Sequence, residues 1–136
     1  MPHQQVNENA PHALQEALFE RCSGLAGVVV GRSHVSVPGA RAFHLAAEQA
    51  RGQPAAFMAE TEFAHLHPPH DGSLHLMLPE VQARAVIDAG WGEFHPLVIA
   101  GVLPPTQLMV FGPRDSPELE VIWRIIQASY RAATGG

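Results

Sequence analysis

Lysine is absent from this chain, and cysteine occurs once, as Cys22. Without lysine there is no Schiff-base chemistry, no pyridoxal phosphate held through an amine, and no phosphate loop ending in Gly-Lys-Ser/Thr. A lone cysteine excludes an internal disulfide, a four-cysteine iron–sulfur site and a cysteine-based zinc ribbon. No apolar run approaches the roughly 20 residues of a membrane span, and residues 1–10 contain no signal-peptide core. With a net charge of −5 and a pI near 5.9, the basic footprint of a nucleic-acid binder is missing too. The expectation is therefore a cytoplasmic protein that binds neither membrane nor nucleic acid. The motifs Gly-x-Ser-x-Gly, His-Glu-x-x-His and Gly-x-Gly-x-x-Gly do not occur, which argues against the hydrolases, zincins and dinucleotide enzymes that carry them.

What is present is histidine, nine in 136 residues, beside eight arginines. Full protonation of those histidines would turn the charge from −5 to +4, so the chain is pH-sensitive near roughly pH 6–7. A 46% apolar composition suffices for one core without staples. Residues 1–10 read as a disordered tail and 11–136 as a single domain. A helix is expected from Pro11 to Ser23, with Leu14, Ala17, Leu18 and Cys22 on one apolar stripe, which makes Cys22 a core thiol. Strands are expected at Gly27–Gly31, Val35–Val37 and Ala40–Ala46, and a loop over 47–56.

The segment Glu62–Pro79 carries most of the chemistry. Even positions Ala64, Leu66, Leu74, Leu76 and Leu78 are apolar. Odd positions Phe63, His65, His67, Ser73, His75 and Met77 are mixed. This alternation about Pro68–Gly72 spells a β-hairpin. Pairing Leu66 with Leu74 sets His65 opposite His75 and His67 opposite Ser73, with three imidazoles on one face. The leucines face helices, and His70 at the loop tip folds back over the patch. A helix follows from Pro79 to Ala89, then an irregular stretch over 90–97 holding Trp91 and His95. A strand at Leu108–Phe111 precedes a last helix beginning near Asp115 or Ser116. Its stripe is Leu119, Ile122, Ile125, Ile126 and Ser129, and Glu120 supports Arg124 at i, i+4. The order predicts an α+β fold, an antiparallel sheet with helices on one face and a histidine-lined pocket on the other.

Clustered imidazoles suit two kinds of chemistry. They could move protons, since neighbouring imidazoles depress one another's pKa and keep a base neutral. They could also hold a transition metal, with His65, His67 and His75 as ligands. For single residues the bland alternatives are a solvated sheet face for the histidines, turn chemistry for Asp71, packing for Trp91, and a salt bridge to Asp115 or Glu118 for Arg114. The turn and salt-bridge readings are favoured for Asp71 and Arg114.

The stretches EFAHLHPPHDGSLHLMLP, GWGEFHPL and MVFGPRDSPELEVIWRIIQASYRAATG resemble the luciferase-like domain of fungal luciferases and their small bacterial relatives. The likeness spans roughly residues 60–135 and weakens over 12–59. It implies a site made of His65, His67, His75 and His95 as catalytic groups, and His70, Asp71, Trp91 and Arg114 as substrate-binding groups. His95 and Trp91 would close the pocket. It also implies oxidation of a flat enolic or phenolic, pyrone-like small molecule by molecular oxygen, without flavin or nicotinamide. The chain departs from the fungal members in showing no amino-terminal hydrophobic segment, and the family does not transfer the substrate. Two other readings stay open: a metal-dependent hydrolase or oxygenase with a three-histidine site, and a non-catalytic small-ligand binder. A homodimer through a sheet edge or exposed helix is compatible with either.

Overall fold

The computed structural model describes Gln5 and residues 7–136. Helix α1 (His12–Ser23) starts after Pro11, which serves as its N-cap, and stops at Gly24. Strands β1 (Val28–Arg32) and β2 (Arg41–Leu45) form an antiparallel pair. Two short 3-10 turns lead to β3 (Glu62–Leu66) and β4 (Leu74–Met77). Then come α2 (Glu80–Asp88), β5 (Gly92–Phe94), α3 (Pro96–Ile99), β6 (Gln107–Val110) and α4 (Ser116–Thr134). The six strands form one antiparallel sheet in the order β1-β2-β3-β4-β6-β5.

The fold is α+β as the element order implied, with helices on one sheet face. Leu66, Leu74, Leu76, Leu108 and Val110 of the sheet share a buried core with Leu18 and Cys22 of α1 and Ile122 and Ile126 of α4. The α4 stripe is buried as its spacing required, extended by Ala133. Helix α4 is capped by Asp115, whose carboxylate accepts from the Glu118 N–H. Tyr130 of α4 donates to the Ala26 carbonyl and stacks edge-on to Phe63.

Three expectations give way. Val35–Val37 is not a strand. Ser33 Oγ accepts from the Val35 and Ser36 N–H groups, and the Glu62 carboxylate accepts from His34 N–H, so the donors of this segment are spent on side chains. The stretch 90–97, expected to be irregular, holds β5, which pairs with the free edge of β6, and the start of α3, with His95 between them. Gly92 permits that approach, since a Cβ there would lie 2.2 Å from the Met109 carbonyl oxygen. The hydrogen bonds to Glu120 come from Arg21 of α1, at 2.8 and 3.1 Å, while the expected partner Arg124 contributes its charge alone.

Candidate functional site

The hairpin register is the one the alternation dictated: Leu66 pairs with Leu74 and His65 with His75, and the His67 N–H donates to the Ser73 carbonyl. A single row crosses the sheet as Gly31, Ala42, His65, His75, Met109 and Glu93. On one side of the imidazoles the row holds only the small residues Ala42 and Gly31. Met77 and Met109 on the other are buried but outside the helix-side core.

Alternation fails at the start of β3. Phe43 pairs with Ala64 and His44 with Glu62, so Phe63 is an extra residue, a β-bulge. The expectation put Phe63 on the histidine face. The bulge turns its ring into the helix-side core and turns the Glu62 carboxylate toward the imidazoles. Glu62 was invisible to period-two reading. The one available signal was an acid three residues before a histidine, a spacing that means nothing on a regular strand.

Three imidazole nitrogens converge. His65 Nε2 and His67 Nε2 each lie 3.1 Å from His75 Nδ1, and all three ligand atoms fall within 4.8 Å of one another, so the trio could hold a metal ion. The rings are buried: His65 is 1%, His67 2% and His75 5% exposed. Each of the first two is backed by a buried carboxylate. His65 Nδ1 lies 2.9 Å from Glu62 Oε2, and His67 Nδ1 lies 3.1 Å from Asp71 Oδ2 and 2.9 Å from Ser73 Oγ. Burial works to raise both carboxyl pKa values. Hydrogen bonds outweigh it and hold both below the ordinary range: from His65, His34 N–H and Ser33 for Glu62, and from His67 and Ser73 for Asp71. Burial, aided by the neighbouring His67, pushes the His65 pKa down against the opposing pull of Glu62.

Asp71 combines the two roles that were set against each other. Its Oδ1 accepts from the Ser73 N–H and hydroxyl, which is turn chemistry, while Oδ2 faces His67. The loop is itself fixed from α1, where buried Gln15 donates to the Pro69 carbonyl. Gly72 at φ +75 closes the turn, and a Cβ there would meet the Gln15 amide at 2.5 Å. Gln5 N–H and Asn9 also bond Asp71, through its Oδ2 and its carbonyl oxygen.

His95 joins the cluster from the junction of β5 and α3, where it is the helix N-cap: its ring centroid lies 5.5 Å from that of His75. Its Nδ1 accepts from the Leu97 N–H at the start of α3, so in the neutral ring the proton sits on Nε2. The remaining candidates lie elsewhere. His70 is exposed at the loop tip and is not one of the converging three. Trp91 packs against the helix-side core and does not close over the histidines with His95. It lines a cavity of about 250 Å³ together with Arg114, Glu118 and Glu8. There Arg114 pairs with Glu118 at 2.7 Å, as the salt-bridge reading expected, and also with Glu8 at 3.1 Å, which it did not.

The luciferase domain family model matches residues 60–129, which contain the bulge, the histidine hairpin, His95 and Arg114. The luciferases of Armillaria gallica and Armillaria mellea are each 44% identical over 70 residues, and that of Neonothopanus nambi is 41% identical over the same length. The match takes in 50% of this chain and 26% of each relative, so the chain matches about a quarter of the length of these fungal proteins. No solved structure matches. A family match across half of the sequence, taking in the converging imidazoles, establishes that this chain belongs to the luciferase domain family.

Proposed function

We propose that this chain is an oxidoreductase that oxidises a flat enolic or phenolic, pyrone-like small molecule with molecular oxygen at the histidine centre. The observation that carries the reading is the convergence of His65, His67 and His75 on one point, with a carboxylate behind each of the first two. A substrate enol that loses its proton at this centre becomes an electron-rich anion, and that anion supplies the electrons that reduce oxygen. Glu62 and Asp71 stabilise the positive charge that an imidazole acquires on accepting the proton. His95, protonated on Nε2, supplies a donor for the negative charge that develops on oxygen. Asp71 acts through His67 as a positioning residue. Oxygen is the co-substrate, and no flavin or nicotinamide enters the reaction. The buried methionines Met77 and Met109 give the site an apolar wall suited to a flat ring.

The test is oxygen uptake with product identification by mass spectrometry, over a panel of hydroxylated pyrones and catechols. Turnover by the wild type should fall by about 10²–10⁴-fold in His65→Ala, His67→Ala and His75→Ala. Unchanged turnover in all three would overturn the reading. Conversion without oxygen uptake would replace it with hydrolysis, and binding without conversion with a ligand carrier.

A further inference from the structure

The proton inventory of the histidine trio is incomplete. An ionised carboxylate only accepts hydrogen bonds, so the nitrogen facing it carries the proton. His65 and His67 both turn Nδ1 to a carboxylate, and both therefore point an Nε2 lone pair at His75 Nδ1. That single nitrogen has one site in its ring plane and two lone pairs to answer. If it carries a proton, it satisfies one and leaves the other facing it unmatched. Protons alone complete the arrangement only if His65 and His67 both become imidazolium and aim two N–H groups at one lone pair. Those two cations would then stand with ring centroids 5.2 Å apart.

Charge gives the same result. Glu62 and Asp71 are fully buried, and their hydrogen-bond partners among the described residues are imidazoles, the Ser33 and Ser73 hydroxyls and backbone N–H groups, with no guanidinium among them. Two buried negative charges need a buried positive counterpart.

We infer that His65 Nε2, His67 Nε2 and His75 Nδ1 are the ligands of one divalent first-row transition ion, with Glu62 and Asp71 fixing the ligand tautomers. One such ion supplies both positive charges and takes all three lone pairs. Ligands at about 2.0–2.1 Å from a common metal lie about 2.9–3.4 Å from one another, the spacing of two edges of this triangle. Imidazole donors without thiolate select zinc, iron, cobalt, nickel or copper over magnesium and calcium. The carboxylate–histidine–metal relay is the arrangement that raises ligand basicity and holds ring orientation. The three protein ligands leave positions open for a substrate oxygen. The inference deepens the oxidation reading, because such an ion would stabilise the enolate in place of an imidazole. Binding itself stands on the geometry alone.

The experiment is titration of the full chain with cobalt(II) and with zinc(II), after dialysis against a chelator. One ion per chain is expected, with a visible cobalt spectrum and X-ray absorption showing three imidazoles at about 2.0–2.1 Å from zinc. His67→Ala and His75→Ala should lose that ion, and Glu62→Gln and Asp71→Asn should bind it about 10–100-fold more weakly. His44→Ala controls for surface binding, since His44 and His34 have ring centroids 5.2 Å apart on the outside. Circular dichroism confirms that each variant is folded, and the wild-type absorption data decide the matter if one is not. No stoichiometric ion in the wild type, fewer than three imidazoles around it, or loss only in His44→Ala would overturn the site. Metal binding without oxygen uptake would leave the site standing and remove the oxidation reading. Oxygen uptake by a chain that takes no ion would do the reverse.

Discussion

At the scale of single residues, environment decides which polar groups carry chemistry. Cys22 and His65 are both buried, yet one is inert and the other sits at the candidate centre. Cys22 lies among leucines and isoleucines, and burial pushes its pKa up to about 12. The thiolate is the nucleophile, so this sulfur should resist iodoacetamide at pH 8 in the native chain and react once the chain is unfolded in urea. The raised pKa also has a sign for stability. The folded chain keeps the thiol neutral while the unfolded chain ionises near pH 8.5, so stability is full below that value and falls as pH rises above it. Urea titrations at pH 7.5 and 9.5 should show this loss in the wild type and a smaller one in Cys22→Ala. Rapid native labelling would mean that Cys22 is not held as described. His65, in contrast, is buried beside an acid and two further imidazoles, with each of its ring nitrogens facing one of these polar neighbours.

At the scale of elements, the hairpin was readable because leucines and histidines alternate and because Pro68–Gly72 is turn chemistry. Residue pairing then followed from period two alone. The stripe of α4 was readable for the parallel reason at period 3.6. Three features escaped. The β3 bulge depends on how β2 lies against it, and the Glu62–His65 spacing within the strand does not announce it without that neighbour. The β5 pairing depends on an edge that β6 exposes only after folding. The placement of Trp91 and Arg114 on the helix side depends on which way the chain turns after α2, and their local sequence does not specify that. Phe63 is the residue whose burial rewards the bulge: it is fully buried and its ring centroid is 6.0 Å from that of Tyr130. Phe63→Ala should therefore cost about 3–5 kcal/mol in urea unfolding. A loss below about 1 kcal/mol would show that the ring is not the anchor of the bulge, since surface changes are typically within about 0.5 kcal/mol.

At the scale of the whole molecule, one sheet divides two environments. Its helix side is apolar and closed by α1, α2 and α4. Its other side carries the imidazoles, the two carboxylates and the methionines. Every strand contributes to this sheet, so neither side can open alone, and the chain should unfold in one cooperative step. Tryptophan fluorescence reports Trp91 beside β5 and Trp123 on α4, while circular dichroism reports the entire backbone. The two probes should give coincident urea transitions. Separate midpoints would reveal that the β5 end opens independently. Among the described residues no helix is long and apolar enough to cross a membrane.

The residues Glu62, Phe63, Ala64 and His65 set an acid three places before a histidine, the separation that brings two side chains together on a helix. Here an extended strand achieves it, because β2 forces one residue out of step. The portable unit is therefore the strand pair and not the four-letter motif. A designer who moved Glu-Phe-Ala-His onto another hairpin, leaving Arg41–Leu45 behind, would send the carboxylate to the opposite face and the phenyl ring to the imidazoles.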